Sequence, residues 1–320
     1  PSTMCAARVG IAVSGILPGM RRKQSDCIKA YVQTLLSGEK TFVGLPKNWW
    51  PEAWSKMVQP VCELLYALYG HPLAGDMWQS KLHGVLIVVG FKFIEGWPSL
   101  YYKLFLAVDG VTVIDVVIFI VYVDDLIMLG GQNLDAVIAL VRKEIDMEEP
   151  HEIDKYLGVH HQIVQLLGAI QVRWMMRDYL YSAANKYLED TGERLTPTTT
   201  PFAVEISNEQ FTKNYATPRK HGPKAASLLM TLMYPARQAF PQLALPVQRL
   251  ATQITKWSVE ADRRMHRLFQ YVLYIAEQFY MLVGEIALED FADAVVDAWP
   301  DADLCGDVWS TKSTTGYWVE

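Results

Sequence analysis

The sequence predicts an α+β protein, and three observations carry that expectation. Val111–Val123 (VTVIDVVIFIVYV) holds ten β-branched residues among its thirteen, which suits a buried strand and not a helix. Leu134–Ile145 and Asp262–Val283 instead space their apolar residues every three or four positions, as amphipathic helices do. The composition, 51% hydrophobic and 20% charged over 320 residues, is that of a chain able to bury a core, and the length suggests about two domains.

Taken in order, Val61–Val89 reads as mainly helical, broken at Gly70–Gly75 by His71-Pro72 and the glycines. After the Val111–Val123 strand come Asp124-Asp125, then Leu126–Leu129 and Gly130-Gly131. Strand, acidic tip, strand and glycine stop predict a hairpin. In the Leu134–Ile145 helix the stripe is Leu134, Val137, Ile138, Val141 and Ile145. Thr191–Lys224 is rich in Thr, Pro and basic residues and predicts a linker or long loop. Helices follow over Ala225–Trp257 and Asp262–Val283, the second striped by Met265, Leu268, Phe269, Val272, Leu273, Ala276 and Phe279. Glu285–Asp307 carries eight acids and no base, and Asp301–Glu320 reads as the start of a further unit.

With 29 basic and 35 acidic residues the net charge is −6, which excludes a strongly basic nucleic-acid coat. Any phosphate contact must then come from local patches or a bound metal. The cysteines (Cys5, Cys27, Cys62, Cys305) are scattered, so neither a zinc site nor a disulfide framework is expected, and a reducing compartment fits. No apolar run reaches the length of a membrane span. The start at Pro1 reads as a fragment of a longer polypeptide.

The chemistry concentrates at Asp124-Asp125. Adjacent anions at the tip of an apolar hairpin repel each other, and a divalent cation would offset the repulsion. Two such ions can activate a primer hydroxyl and stabilise a departing pyrophosphate. Strand alternation makes the two acids inequivalent as ligands, and a third carboxylate is required, which spacing alone does not identify. By itself the pair reads more readily as a turn dipeptide, since Asp is common in turns.

Six segments, in order, resemble boxes of the copia-type long-terminal-repeat retrotransposon reverse transcriptases. Gln24–Tyr31 (QSDCIKAY) is similar to Q-x-D-V-x-x-A-F/Y, and Val61–Gly70 (VCELLYALYG) to V-C-x-L-x-x-x-L-Y-G. Tyr122–Asp125 is the YVDD box, and Lys155–Gly158 (KYLG) resembles the Y/F-L-G that follows it. Leu228–Ala236 (LLMTLMYPA) is similar to S-L-M-Y-L-A, and Asp301–Tyr317 to the D-A-D-W-A-G-D…S-T-S-G-Y opening of ribonuclease H.

The resemblance implies a palm of antiparallel sheet and helices with partial fingers over 1–190, and a linker over 191–224. It implies a helical thumb and connection over 225–292 and an incomplete ribonuclease H-like segment over 293–320. It implies RNA-directed DNA polymerase activity with Asp26, Asp124 and Asp125 as catalytic, metal-binding carboxylates for two Mg²⁺ ions, Mn²⁺ being possible. Tyr31 falls where an aromatic ring lies under the incoming sugar and excludes a 2′-hydroxyl, and Tyr122 is a second substrate-binding candidate. Asp301 matches the first ribonuclease H carboxylate. Arg263, Arg264 and Arg267, in the region assigned to the thumb, are candidates to track backbone phosphates, although such a cluster also suits a solvated helix face. The expected partners are RNA template, DNA primer–template, deoxynucleoside triphosphates and the integrase, protease and capsid segments of the same polyprotein, with no membrane. The expected location is a cytoplasmic virus-like particle, with nuclear entry and DNA integration of the product.

The sequence departs from the pattern at several points. His71–Asp76 stands where L-K-Q-A-P-R is usual, Cys27 replaces Val, and Leu304-Cys305 replaces Trp-Ala. Arg21-Arg22-Lys23 is the charge run just ahead of Asp26, in a place suited to phosphate or to a solvated face. These departures motivate the alternative of a catalytically inactive retroelement remnant that at most binds nucleic acid.

Overall fold

The computed structural model describes residues 4–17, 19–204, 206–217, 220–278, 281–287, 298–302 and 315–319. It is a mixture of helices and antiparallel sheets in two compact units, Pro1–Ile153 and Asp154–Glu320.

The first unit contains α1 (Met4–Ile16), β1 (Arg21–Asp26), β2 (Phe42–Gly44), β3 (Val61–Glu63), α2 (Ala74–Val89) and β4 (Lys92–Ile94). It continues with β5 (Trp97–Leu106), β6 (Val113–Tyr122), β7 (Asp125–Gly130), α3 (Leu134–Val141) and β8 (His151–Glu152). The main sheet runs β4-β5-β6-β7-β1-β8, every pair antiparallel. Trp78, Leu82 and Leu86 of α2 and Val137, Ile138 and Val141 of α3 cluster with Val117, Phe119 and Val121 of β6. Helix α1 packs at Gly10 against Ile120 and Leu129; a Cβ there would lie 2.5 Å from the Ile120 Cδ1. β6 is thus apolar toward both α1 and the α2/α3 cluster, which is why its sequence is a continuous apolar run and not an alternation.

Asp115 is the exception in that run. Its carboxylate accepts hydrogen bonds from the Val116, Gly131 and Asn133 amides and from Asn133 Nδ2, at 2.8–3.0 Å. Burial would raise its pKa, but these donors hold it below the ordinary value. The acid therefore ties the turn before α3 to the start of β6.

The expected helix over Val61–Val89 is realised only from Ala74. Val61–Glu63 pairs with β2 instead, and His71 prepares the helix start: its Nδ1 accepts from the Leu73 amide at 3.2 Å.

The second unit contains β9 (Lys155–Tyr156), β10 (Val159–Leu166), β11 (Ala169–Met175), α4 (Arg177–Thr191), α5 (Asn208–Ala216) and α6 (Gly222–Gln238). Then come α7 (Ala244–Ala251), α8 (Val259–Gln278), β12 (Met281–Ala287), β13 (Ala298–Ala302) and β14 (Thr315–Val319). The division falls at 153/154, and β11 pairs with β12 from beyond α8, so β9–β11 belong to this unit. The helices share a core in which Tyr187 stacks on Phe269 at 4.5 Å, with Leu228, Leu232, Met265 and Leu268 fully buried. The expected Ala225–Trp257 helix is two, separated by a turn at Phe240-Pro241, since a residue before proline avoids the helical region.

The Thr191–Lys224 stretch is not a free linker. It holds α5, whose Ser207 hydroxyl caps the Gln210 amide, and its earlier part is fastened along α8. Thr198 N donates to Gln270 O, Arg267 to Thr200, and Arg263 Nη1 to Val204 O at 2.9 Å. Of the ribonuclease H-like stretch, β13 and β14 pair with Asp301 opposite Gly316; residues 303–314, with Leu304 and Cys305, lie outside the described residues.

Candidate functional site

The YVDD segment forms a two-residue turn. Tyr122 and Asp125 are Cα partners that close the β6–β7 hairpin, leaving Val123 and Asp124 at its tip. Val123 has φ +59°, a left-handed conformation that a β-branched residue adopts only at a cost on the order of 1–3 kcal/mol. Two hydrogen bonds from outside the hairpin hold the tip. The Trp78 indole N–H donates to Val123 O at 2.7 Å, and the Cys27 amide donates to Asp124 O at 2.8 Å.

Strand β1 supplies the third acid. It pairs with β7 so that Asp26 is the Cα partner of Asp125. Its end is held from the other side by Glu148 N donating to Asp26 O at 2.9 Å and by a Cys27–Met147 bridge. The structure therefore brings Asp26, Asp124 and Asp125 to one end of the sheet, Asp26 exposed and the other two half-buried.

Their mutual field is strong. The Asp125 carboxyl is pushed up to about 7, first by burial, then by a side-chain hydrogen bond with Asp26 and by the charges of Asp26 and Asp124. Burial and the same three acids push the Cys27 thiol up to about 12, so Cys27 is no thiolate nucleophile. Among the described residues no group of three or more His, Cys, Asp or Glu side chains is drawn tightly enough together to hold a metal ion. The donor set, carboxylate oxygens under mutual repulsion, is nonetheless chemically suited to a hard divalent cation.

Tyr31 follows β1 through a short 3-10 turn, Ala30–Gln33, and packs on the core that carries Trp78. Its ring centroid lies 4.6 Å from that of Tyr69. The Tyr69 hydroxyl is raised, first by desolvation and then by the charge of Asp124. Tyr69 and Trp78 were missed by sequence reasoning. The available signal was a tryptophan on the apolar face of a helix, whose indole N–H needs an acceptor once buried.

The remaining candidates have other partners. Arg21 and Lys23 both pair with Asp135, at 2.6 and 2.8 Å, and Arg22 donates to Ser14 O and Met20 O. Arg263 and Arg264 both bind Glu260, which is 1% exposed, and Arg267 donates to Thr200. The three arginines are thus not a free cationic face; they neutralise a buried acid and hold the preceding segment on α8. Asp301 lies in β13, as the Cα partner of Gly316 in β14.

A family model described as reverse transcriptase (RNA-dependent DNA polymerase) matches residues 20–200, more than half of the chain. The "Retrovirus-related Pol polyprotein from transposon TNT 1-94" of Nicotiana tabacum is 25% identical over 272 residues. That alignment covers 80% of this chain and 18% of the tobacco protein, so the chain spans less than a fifth of its relative's length. Among the described residues no helix is long and apolar enough to cross a membrane. The matched segment includes every element that builds the acidic turn, and the chain belongs to the reverse transcriptase (RNA-dependent DNA polymerase) family, as part of a copia-type retrotransposon Pol polyprotein.

Proposed function

We propose that this chain carries the nucleotidyl-transfer site of an RNA-directed DNA polymerase. The observation that supports this most directly is the register of β1 against β7, which sets Asp26 beside Asp125 next to the Asp124 turn. In this reading the six-stranded sheet with α2 and α3 is the palm, and the segment between β1 and α2 belongs to the fingers. The helices of the second unit are thumb and connection, and β13 with Asp301 opens a ribonuclease H-like domain.

Asp26, Asp124 and Asp125 would hold divalent metal, Mg²⁺ or Mn²⁺. When bound, the metal supplies charge stabilisation at the departing pyrophosphate and acidifies the primer 3′-hydroxyl. The chain itself positions. Asp26 and Asp125 fix one edge of the site through strand pairing, and the held turn fixes Asp124. The Tyr31 ring, supported by Tyr69, closes the space where a ribose 2′-hydroxyl would sit, which selects deoxynucleoside triphosphates. RNA template and DNA primer–template are the polymeric substrates, and positioning carries most of the rate.

Primer extension on an RNA template tests this, with the chain alone and joined to the preceding polyprotein segment. Extension that requires Mg²⁺ or Mn²⁺ and disappears in the Asp124→Asn, Asp125→Asn double variant supports the reading; extension that survives it removes the reading. The second reading, an inactive remnant that at most binds nucleic acid, is favoured by one specific observation. His71–Asp76 replaces the usual L-K-Q-A-P-R, and His71 is turned inward, its Nε2 3.2 Å from Thr41 Oγ1. Nucleic-acid binding without extension under any divalent cation would establish that reading.

A further inference from the structure

We propose that Trp78 is a positioning residue for the acidic turn, its indole N–H setting the cation affinity of Asp124 and Asp125. The inference rests on the nucleotidyl-transfer reading above and goes beyond it by naming what keeps the turn in its working conformation.

Val123 is the one β-branched residue among the described non-glycine residues with positive φ. A β-branched residue does not rest in that region, so the turn needs to be held from outside. The Val123 carbonyl accepts from Trp78 Nε1 at 2.7 Å, and the Asp124 carbonyl accepts from the Cys27 amide at 2.8 Å. These two carbonyls belong to the peptide planes on either side of Asp124. Pinning both fixes the φ and ψ of Asp124, and with them the direction of its side chain.

Trp78 is itself fixed. It is 1% exposed and lies in the cluster formed by Leu82, Leu86, Val121 and Leu126, so its indole cannot turn without disturbing the core. The helix that carries it thereby transmits its position to the turn. Replacing the ring by one without N–H leaves the Val123 carbonyl unpaired in a part-buried place and frees the peptide to flip.

The test compares full-chain variants by Mn²⁺ binding, followed through the electron paramagnetic resonance of the free ion, and by thermal melting. Trp78→Phe keeps an aromatic ring and loses the donor; it is expected to weaken Mn²⁺ binding about 10-fold or more, the usual range for losing a residue that orients a metal ligand. Leu82→Ala cuts the same core from the same helix without touching the turn. It is expected to lower the melting temperature while leaving Mn²⁺ affinity unchanged. In primer extension Trp78→Phe lowers kcat and leaves KM for the nucleotide near its original value.

Unchanged Mn²⁺ affinity in Trp78→Phe overturns the inference alone, and so does an equal loss in both variants, which would mark general loosening. Wild-type Mn²⁺ binding that survives the Asp124→Asn, Asp125→Asn double variant, or no binding at all, overturns the nucleotidyl-transfer reading and the inference with it. Should Trp78→Phe fail to fold, the wild-type chain still decides. The Trp78 indole N–H should be protected from exchange and its proton resonance should move on Mg²⁺ saturation; an unprotected or unmoved resonance overturns the inference.

Discussion

Asp125 sits at the point where burial and neighbouring charge act together. Its carboxyl titrates near 7, well above the ordinary 3.8, so the folded chain keeps a proton that the unfolded chain releases. That contribution to stability is complete below about pH 4 and is lost as the pH rises toward 7. Without divalent metal, Asp125→Asn is therefore expected to raise the melting temperature at pH 8 and to change it little at pH 4. If the chain performs the proposed nucleotidyl transfer, the same variant should lower primer extension by about 10²-fold or more, the scale expected for weakening the charge stabilisation at the reacting centre. His161 behaves in the opposite sense. Burial, then the charge of His160, lowers it to about 4, and neither ring nitrogen has a hydrogen-bond partner among the described residues. Stability from this group is full above pH 6.5 and lost as the pH falls toward 4. His161→Phe should gain on the order of 2 kcal/mol relative to wild type when melting at pH 5 is compared with melting at pH 7.

At the scale of elements, two contacts invite direct tests. Gly10 lets α1 approach β6, and a Cβ there would meet Ile120 at 2.5 Å. Gly10→Val should cost about 1–3 kcal/mol in chemical denaturation, the range for overfilling a packed interface. Glu260 is 1% exposed and holds Arg263 and Arg264. Glu260→Ala, by leaving those cations without their partner, should cost about 3 kcal/mol by the same measurement. Elements whose cause is local were legible in the sequence: the β6–β7 hairpin from its β-branched run and glycine stop, and α3 and α8 from their stripes, although the expected Asp262–Val283 helix stops at Gln278 and Met281–Val283 belongs to β12. Val61–Glu63 was not, because its strand exists only through pairing with β2. The company of Asp26 was equally hidden, since β1 has a polar sequence, RRKQSD, and becomes a strand by filling the place between β7 and β8. Asp124 and Asp125 showed themselves as an acidic tip; that Asp26 joins them came from the family resemblance, and spacing alone could not have supplied it.

For the molecule as a whole, charge decides how it can meet nucleic acid. The net charge is −6, and the arginines of β1 and α8 are taken by Asp135, Glu260 and backbone carbonyls. These clusters are therefore not free to displace counterions, so on the proposed reading primer–template affinity should depend on divalent metal and fall only gently with salt. A log–log slope no steeper than about −3 is expected from titrations between low and physiological salt, since each neutralised phosphate adds roughly 0.9. A steeper slope would show a cationic track that these ion pairs give no reason to expect. The way Asp115 is held has a consequence for faithful assembly. A strand greasy on both sides can slide by one residue without putting anything oily into water, so solubility alone does not police its alignment. The three donors that Gly131 and Asn133 bring to Asp115 can be satisfied in one alignment only, which makes this acid the notch that stops the slide, at the opposite end of β6 from the acidic turn.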